Sequence, residues 1–231
     1  MERVPESEFM ETKEQVLSYA AADFLESEQN LIKVISTYLE VNKINLTNED
    51  LIIDLGCGPG NISEKLSLKW PHTTVIGIDG SKEMILKAKS QKKIKNKKNI
   101  FNNLIYVLAD IKKIQLSDIT SKNKLTLLVS NSLIHHITHL DDFFNSIINL
   151  STTDTINFHK DLIRPINEES ALELKLECAS KYNDILTNDY YASLKAAYRK
   201  DELEKIILDK ELPHLRVIEE NEKYLIVYGK V

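Results

Sequence analysis

The sequence predicts an α/β fold whose sheet is mostly parallel, with one strand running in the opposite direction. The first observation is a series of short apolar runs without polar alternation, which is typical of strands covered on both faces. These runs lie at 51–55, 74–79, 103–110, 124–130 and 153–158. The second observation is that helical patterns lie between the runs, at 60–70, 81–90, 140–149 and 168–182. Strands that alternate with helices indicate a parallel sheet.

The third observation is that the end of the chain departs from this alternation. Two strand-like runs, 214–219 and 223–229, follow each other across a turn that is too short for a crossover helix. A connection of that length joins antiparallel strands. The two runs therefore predict the reversed strand.

The segment before the first strand predicts helices. Apolar residues recur at helical spacing between 10 and 42, which indicates two helices. We expect residues 1–48 to form an N-terminal helical cap and residues 49–231 to form the core of a single domain. The chain has a formal net charge of -5, two distant cysteines, no secretory signal and no long apolar segment. These properties predict a cytoplasmic protein without a membrane partner.

One segment is strongly basic. Residues 86–99, LKAKSQKKIKNKKN, carry seven lysines and no acid. Such a run is typical of a solvated helix end, and no aromatic residue lies among the lysines to stack on bases. Nucleic acid is therefore not the favoured partner, although the run keeps an RNA substrate as an alternative.

The turn after the first strand is rich in glycine, in the stretch LIIDLGCGPGN at 51–61. A strand, a tight glycine turn and a helix place backbone N–H groups against a ligand beyond the end of the strand, which predicts a nucleotide-like cofactor. In the dinucleotide fingerprint the third glycine comes three residues after the second. Here Gly60 comes one residue earlier and Asn61 takes its place, so the spacing disfavours a nicotinamide dinucleotide.

Three carboxylates stand at three successive strand ends. Asp54 precedes the glycine turn, where it can attract a cationic group of a ligand. Asp79 follows the second strand at the distance from the loop that suits a ribose, and Asp110 can accept from an adenine amine. Together they fit S-adenosylmethionine better than a dinucleotide. The alternatives are a helix N-cap for Asp79 and a plain turn for Asp110.

The motifs DLGCGPGN, GIDGS and LAD, in this order and spacing, resemble the cofactor motifs of the class I S-adenosylmethionine-dependent methyltransferases. The resemblance implies a Rossmann-like seven-stranded sheet with helices on both faces, S-adenosyl-L-methionine as cofactor and S-adenosyl-L-homocysteine as product. Cys57 is expected to fill space in the loop and not to act as a nucleophile. The cofactor site that we predict comprises Asp54, Gly56, Cys57, Gly58, Gly60, Asn61, Asp79, Gly80, Ser81, Asp110, Ile111, Ser130 and Asn131.

The second half of the chain supplies the candidates for catalysis. The strings SNSLIHH, KDLIRP and DYYASLKAAYR are similar to a little-characterised bacterial subgroup of small-molecule methyltransferases. An imidazole suits a general base near neutral pH, so His135 and His136 are the catalytic candidates, with a structural histidine as the alternative. The stretch HHITH places 135 and 139 on one face if it is helical, but it lacks the glutamate of the zinc motif. We therefore expect no metal.

The substrate-binding candidates lie on both sides of the expected pocket. Arg164 follows the fifth strand, where its planar fork suits an anion, with an ion pair to Asp161 or Glu169 as the alternative. A lid-like insertion is expected near 183–199, and Tyr19 and Phe24 could close the other side. The substrate-binding set is Arg164, Tyr190, Tyr191, Ser193, Arg199 and Tyr19, although ordinary helix packing would also explain the aromatic residues.

The sequence thus predicts methyl transfer from S-adenosylmethionine to a small molecule. The oxygen of an anionic metabolite is the favoured acceptor, with a nitrogen or a sulfur as the alternative. A sensor or scaffold that binds the cofactor without turnover is one alternative. An RNA methyltransferase and a nicotinamide-dependent oxidoreductase are the others. The sequence leaves the oligomeric state open.

Overall fold

The computed structural model describes residues 1–7, 10, 12–96, 100–119 and 124–231. The last residues of the lysine run, 97–99, lie outside the described part of the chain. The strands are β1 (Asp50–Leu55), β2 (Thr74–Asp79), β3 (Leu104–Leu108), β4 (Lys124–Asn131), β5 (Ile156–Leu162), β6 (Leu215–Glu219) and β7 (Tyr224–Lys230).

The described helices surround these strands. They are α1 (Lys13–Ala21), α2 (Leu25–Val41), α3 (Asn61–Lys69), α4 (Lys82–Lys95), α5 (Leu116–Ile119), α6 (Leu140–Leu150), α7 (Glu168–Ala179), α8 (Asp184–Ala196) and α9 (Lys200–Asp209). A short 3₁₀ helix covers Ile134–His136. None of the helices in these ranges is both long enough and apolar enough to cross a membrane.

The seven strands form one sheet in the order β3-β2-β1-β4-β5-β7-β6. Strands β1 to β5 pair in parallel, whereas β7 is antiparallel to both of its neighbours. The Rossmann-like, mostly parallel sheet with one reversed strand that the sequence predicts is therefore confirmed. In such a sheet, the parallel strands end at one edge, where ligands bind.

Strand β1 shows why the apolar runs lack polar alternation. Leu51, Ile53 and Leu55 pack into a core cluster on one face of the sheet, together with Phe143 of α6. Ile52 points to the other face and packs with Leu31, Ile35 and Leu39 of α2. Because helices cover both faces, every residue from Leu51 to Leu55 is buried.

Strand β5 begins and ends later than the sequence predicts. The predicted run is 153–158, but the strand extends over Ile156–Leu162 and includes His159, Lys160 and Asp161, which are all buried. Each of these polar groups has a partner. His159 Nδ1 lies 2.9 Å from Ser130 Oγ, and Lys160 Nζ lies 2.5 Å from Glu220 Oε2. Buried polar groups that are paired in this way do not interrupt a strand.

The N-terminal segment lies against the end of α8. The Val4 N–H donates to the Lys195 carbonyl at 3.0 Å. The Arg3 guanidinium donates to the carbonyls of Ala196, His135, Ile137 and Thr138, and it lies 3.9 Å from the centre of the Tyr198 ring. These contacts hold residues 1–7 beside the 3₁₀ helix.

Candidate active site

A cleft opens at the C-terminal ends of β1, β2 and β4, which we call the glycine-loop cleft. This is the edge at which open α/β sheets bind ligands. Of the predicted cofactor residues, the cleft is lined by Asp54, Gly56, Cys57, Gly58, Asn61, Asp79, Gly80, Ser81, Asp110, Ile111 and Asn131. Met10, Tyr19 and His136 also contribute to its wall.

Backbone conformation explains the three glycines of the loop. Gly56, Gly58 and Gly60 have φ values of 64°, 52° and 95°, in the left-handed region that favours glycine. A Cβ atom on Gly60 would lie 2.1 Å from the Tyr106 hydroxyl, whereas one on Gly58 would meet nothing closer than Met84 Sδ at 3.9 Å. Gly58 therefore keeps the cleft open. Gly60 makes room for Tyr106 and does not line the cleft.

Asp79 is fixed to the loop by two backbone N–H groups. Its Oδ2 accepts from Gly58 at 2.8 Å, and its Oδ1 accepts from Ser81 at 2.7 Å. Burial raises the pKa of this carboxyl, and the two N–H bonds oppose that rise. The N-cap of α4 is Ser81, whose hydroxyl accepts from the Met84 N–H, so Asp79 is not the cap. Its carboxylate keeps further lone pairs for hydroxyl donors of a ligand.

Asp54 is almost completely buried in the wall of the cleft, with 1 % of its surface exposed. Its Oδ2 accepts from the Ser63 hydroxyl at 2.5 Å. Burial raises its pKa to about 7, although the Ser63 bond opposes the rise. A cationic group bound at this point would favour the ionised carboxylate, so the site fits an amino group.

Asp110 occupies the outer end of the cleft and also caps a turn. It accepts from the Lys112 N–H at 3.0 Å and lies 3.2 Å from the Lys113 ammonium. These groups hold its pKa below the usual value even though burial opposes the charged form. Asp110 therefore both stabilises a turn and lines the cleft.

Ser130 and Cys57 differ from the other predicted cofactor residues. Ser130 is fully buried within the sheet, bonded to His159, and does not reach the cleft. Cys57 lines the cleft, but burial raises the pKa of its thiol well above the usual value. A thiol that stays protonated is a poor nucleophile, which supports its role as a space-filling residue.

A second cavity, which we call the tyrosine cavity, adjoins the glycine-loop cleft. It has a volume of about 460 Å³, which lies in the range of small-molecule sites. The two share Met10, Tyr19, Asn131 and Ser132. Of the predicted substrate residues, Tyr19, Tyr190 and Ser193 line the tyrosine cavity, as does Phe24. The predicted lid region 183–199 is largely helix α8, which forms one wall.

His135 lies at the end of the tyrosine cavity between two carboxylates. Its Nδ1 is 2.5 Å from Asp161 Oδ1, and its Nε2 is 3.6 Å from Glu6 Oε1. Although burial opposes the charged form, Asp161 and Glu6 raise the pKa of His135. Asp161 also accepts from the Ile134 N–H at 2.5 Å. Burial opposes its charged form, but His135 and the backbone donors hold the pKa of Asp161 below its usual value. The carboxylate therefore fixes both the orientation of the imidazole and its charge.

His136 faces the glycine-loop cleft instead. Its Nδ1 lies 3.1 Å from Glu6 Oε1, and burial lowers its pKa to about 3. Glu6 also accepts from the Ser193 hydroxyl at 3.0 Å, and burial raises the pKa of Glu6. Ligand atoms of Glu6, His135 and His136 lie within 4.8 Å of one another, which would also suit a metal ion. The contacts of Glu6 with the two imidazoles also account for this arrangement without an ion. That the site needs no metal stays a prediction.

Three sequence-based expectations for this region are corrected by the geometry. Residues 135–139 are not one helix: the 3₁₀ helix ends at His136, and His139 has extended backbone at the start of α6. Tyr191 lies outside the cavity and donates to Glu168. Arg199 also lies outside the cavity, where its Nη2 donates to the carbonyls of Met1, Pro165 and Ile166.

Arg164 is likewise not a wall residue of either cavity. Its Nη1 donates to the Ala197 carbonyl at 3.0 Å, and its Nη2 lies 2.6 Å from Glu202 Oε1. The predicted ion-pair alternative is correct in kind, but the partner is Glu202 and the side chain is buried. An anion bound in the tyrosine cavity therefore cannot use this guanidinium in the arrangement observed.

Truncation of Arg164 should affect stability. We expect Arg164→Met to lower the free energy of unfolding by about 1.5–3 kcal/mol, because Glu202 and the Ala197 carbonyl lose a charged donor. Urea titration measures the change. Lys200→Met is a matched control, since the exposed Lys200–Glu204 pair at 3.7 Å should contribute roughly 0–1 kcal/mol. Equal stability of the two variants would contradict the structural role.

Sequence reasoning did not identify Glu6, Met10 or Asp161 as site residues. Glu6 and Met10 precede the first helix in a polar segment without a recognisable motif. Asp161 follows an apolar run, as Asp54, Asp79 and Asp110 do, but the predicted run 153–158 ends three residues before it. A systematic inspection of acids after each apolar run would have found it.

Comparison with known proteins agrees with this fold. The family model described as "Methyltransferase domain" matches residues 46–208. The crystal structure of the plantazolicin methyltransferase BpumL, in complex with a triazolic desmethylPZN analog and SAH, superposes with a TM-score of 0.69 at 16% identity, over 94% of this chain and 90% of that chain. A SAM-dependent methyltransferase from Aquifex aeolicus gives a TM-score of 0.62 at 16% identity, over 93% and 97%. At these identities the structures show a shared fold.

Curated relatives match a shorter part of the chain. Trans-aconitate 2-methyltransferase of Escherichia coli O45:K1 (strain S88 / ExPEC) is 30% identical over 108 residues, which is 47% of this chain and 37% of the relative. The same enzyme of Escherichia coli O157:H7 (strain EC4115 / EHEC) is 46% identical over 48 residues, 21% of this chain and 19% of the relative. The matches thus span well under half of these relatives. The family model covers more than two thirds of this chain. The chain belongs to the methyltransferase-domain family, and the class I S-adenosylmethionine-dependent methyltransferase class predicted from its sequence is confirmed.

Proposed function

We propose that the protein transfers a methyl group from S-adenosylmethionine to a small molecule held in the tyrosine cavity. The observation that carries this proposal is the junction of the two cavities. A cleft walled by Asp54 and Asp79 adjoins a second cavity, and the two share four lining residues. A donor in the first and an acceptor in the second would meet at that junction.

The chain's own groups fit the cofactor. Asp79 would accept from the ribose hydroxyls, Asp54 would pair with the amino group, and Asp110 with Ile111 would face the adenine. When bound, the sulfonium supplies an activated methyl carbon. The protein then has to align the acceptor atom with that carbon and exclude water, and such positioning contributes up to about 7–11 kcal/mol.

His135 is the proposed general base of this site. It lines the tyrosine cavity, and Asp161 holds its Nδ1, so Nε2 is the nitrogen left to take a proton from an acceptor. Asp161 is a positioning residue, because it acts through the imidazole. Glu6 closes the opposite side at 3.6 Å from Nε2 and is carried by the N-terminal segment.

The oxygen of an anionic metabolite, the acceptor favoured by the sequence, stays a prediction. Trans-aconitate 2-methyltransferase, whose name describes methylation of an anionic metabolite, supports it over part of the chain. Arg164, its proposed anchor, gives it no support, because that side chain is paired with Glu202. The cytoplasmic location also stays a prediction.

Two measurements test the proposal. Calorimetric titration with S-adenosylhomocysteine should show binding, and labelled S-adenosylmethionine with a metabolite extract should yield labelled small molecules. Binding without any labelled product would favour the sensor alternative. Binding of NADH but not of S-adenosylhomocysteine would favour the oxidoreductase, and labelled RNA would favour the RNA alternative.

Asp79→Asn should weaken the affinity for S-adenosylhomocysteine. The isosteric amide loses the charge that strengthens hydrogen bonds to the ribose, so we expect a loss of about 1–3 kcal/mol in binding free energy. Calorimetry measures this loss. Asp154→Asn is the control, because Asp154 lies away from the cleft and pairs with Lys124 at 2.8 Å. Unchanged affinity in Asp79→Asn, in a protein that still unfolds cooperatively, would contradict the assignment.

A further inference from the structure

We propose that the methyl acceptor is an amine on an aromatic or apolar body, and that the tyrosine cavity selects it as a cation. This inference rests on the proposed function and names its substrate class. It departs from the anionic acceptor that the sequence favours. Three independent features of the cavity wall support it: the balance of charge, the aromatic surface and one unpaired acceptor at the junction.

The charge of the wall favours a cation. Its described acids are Asp23, Glu26, Glu177 and Asp189, and its described lysines are Lys181 and Lys223. Both lysines pair with Glu177, at 3.0 and 2.6 Å. The other group on the wall that can carry a positive charge, His135, is bonded to Asp161. Every described cation of the wall therefore already has a carboxylate partner.

Three of the wall acids, Glu26, Asp23 and Asp189, have no ion-pair partner among the described residues, and the last two accept from neutral donors. Asp189 accepts from the side-chain amide of Gln15 at 3.3 Å, and Asp23 accepts from the Leu25 N–H at 3.0 Å. Neutral donors leave the negative charge of these two carboxylates uncompensated. A bound ammonium would be attracted to them, and a bound carboxylate would be repelled.

The aromatic side chains of the wall add to this preference. They are Tyr19, Phe24, Tyr182, Tyr190 and Tyr224. Tyr19 and Phe24 have ring centres 5.1 Å apart, and Phe24 and Tyr182 have ring centres 6.5 Å apart. The faces of such rings attract cations and bury apolar groups. This surface suits an amine carried on an aromatic or apolar body.

The junction supplies an acceptor for an N–H group. Asn131 Oδ1 is buried there and has no hydrogen-bond partner among the described residues. The next residue, Ser132, has φ 56°, which is a strained conformation for a residue other than glycine. An amine offers the donor that this oxygen lacks, whereas a carboxylate offers only acceptors.

The reaction balances with groups already described. The ammonium first gives one proton to His135, which passes it to solvent. The lone pair of the neutral nitrogen then forms a bond to the methyl carbon, the carbon–sulfur bond breaks, and its electron pair stays on sulfur. The products are a methylated ammonium and S-adenosylhomocysteine, and one proton is released in total.

Three matched probes test the inference: phenethylamine, phenylacetate and 2-phenylethanol, which are a cation, an anion and a neutral molecule of nearly equal size. Each is titrated by calorimetry into the protein saturated with S-adenosylhomocysteine. We expect phenethylamine to bind at least about tenfold more tightly than phenylacetate. The double variant Asp23→Asn, Asp189→Asn should lose most of that preference. Asp154→Asn, remote from the cavity, should keep it.

The inference is overturned if phenylacetate binds as tightly as phenethylamine, or if none of the probes binds at about 10 mM. Failure of the proposed function gives a different result. If S-adenosylhomocysteine does not bind, the methyltransferase proposal fails. The affinities of the three probes for the protein without S-adenosylhomocysteine still decide whether the cavity selects a cation.

Discussion

Asp161→Asn is expected to lower kcat/KM for methyl transfer by about 10²- to 10⁴-fold, the usual contribution of a positioned general base. In the native protein Asp161 accepts from the Ile134 N–H at 2.5 Å, from the Leu162 N–H at 2.7 Å and from His135 Nδ1. An asparagine has a single acceptor oxygen, so it can accept from the Leu162 N–H or from the Ile134 N–H but not from both, and it cannot stabilise the imidazolium. The affinity for S-adenosylhomocysteine should not change, because Asp161 lies outside the glycine-loop cleft.

The pH profile separates this role from a structural one. Asp161 and Glu6 raise the pKa of His135 above its ordinary 6.5, against the effects of burial and of Arg3, while His136 carries no charge near neutral pH. A base acts when deprotonated, so the rate should fall as the pH drops through a midpoint above 6.5. In Asp161→Asn the midpoint should move to lower pH.

Two further variants control this experiment. His135→Gln should remove the acidic limb of the profile, since the titrating group is gone. His136→Gln should keep the midpoint, because the pKa of His136 is held at about 3 and the residue does not titrate in the range measured. A slow Asp161→Asn enzyme with an unshifted midpoint would show that Asp161 only supports the fold.

Gly60→Ala is expected to destabilise the protein severely, by more than about 3 kcal/mol. The new methyl group would need a left-handed backbone at φ 95° and would overlap the buried Tyr106 side chain. Gly58→Ala is the matched comparison. Its φ is 52° and its Cβ would meet only Met84 Sδ, at an ordinary contact distance of 3.9 Å, so the strain alone should cost about 1–2 kcal/mol.

For cofactor affinity, the order of the two glycine variants should be reversed, with the larger effect in Gly58→Ala. Gly58 lines the glycine-loop cleft, so its added methyl group should weaken S-adenosylhomocysteine binding more than it weakens the fold. Urea unfolding and calorimetry measure the two effects. If Gly60→Ala lowered the free energy of unfolding less than Gly58→Ala does, the contact with Tyr106 would not explain the glycine at position 60.

Much of the fold was predictable from local patterns. Runs such as 51–55 are buried on both faces, and their glycine and acid neighbours identify the strand ends that form the glycine-loop cleft. The boundary of β5 was not predictable in this way, because His159, Lys160 and Asp161 are buried through pairing and not through apolar character. A hydrophobic pattern does not report such pairs.

The acceptor side of the site was harder to predict for a related reason. Glu6 meets His135 across more than a hundred residues of chain. Arg164 meets Glu202 across 38 residues. Neither partner follows from spacing in the sequence. The sequence therefore indicated which side chains carry charge near the site, but the fold decides which of them face the cavity.

The four residues shared by the glycine-loop cleft and the tyrosine cavity would link the two proposed ligands thermodynamically. Tyr19 and Asn131 form part of both walls, so a ligand that orders them in one cavity changes the free energy of binding in the other. Linkage makes this effect reciprocal: the factor by which the acceptor changes the affinity for the methyl donor equals the factor by which the donor changes the affinity for the acceptor. Under the proposed function the same linkage would apply to the spent cofactor, so its departure would be coupled to that of the methylated product.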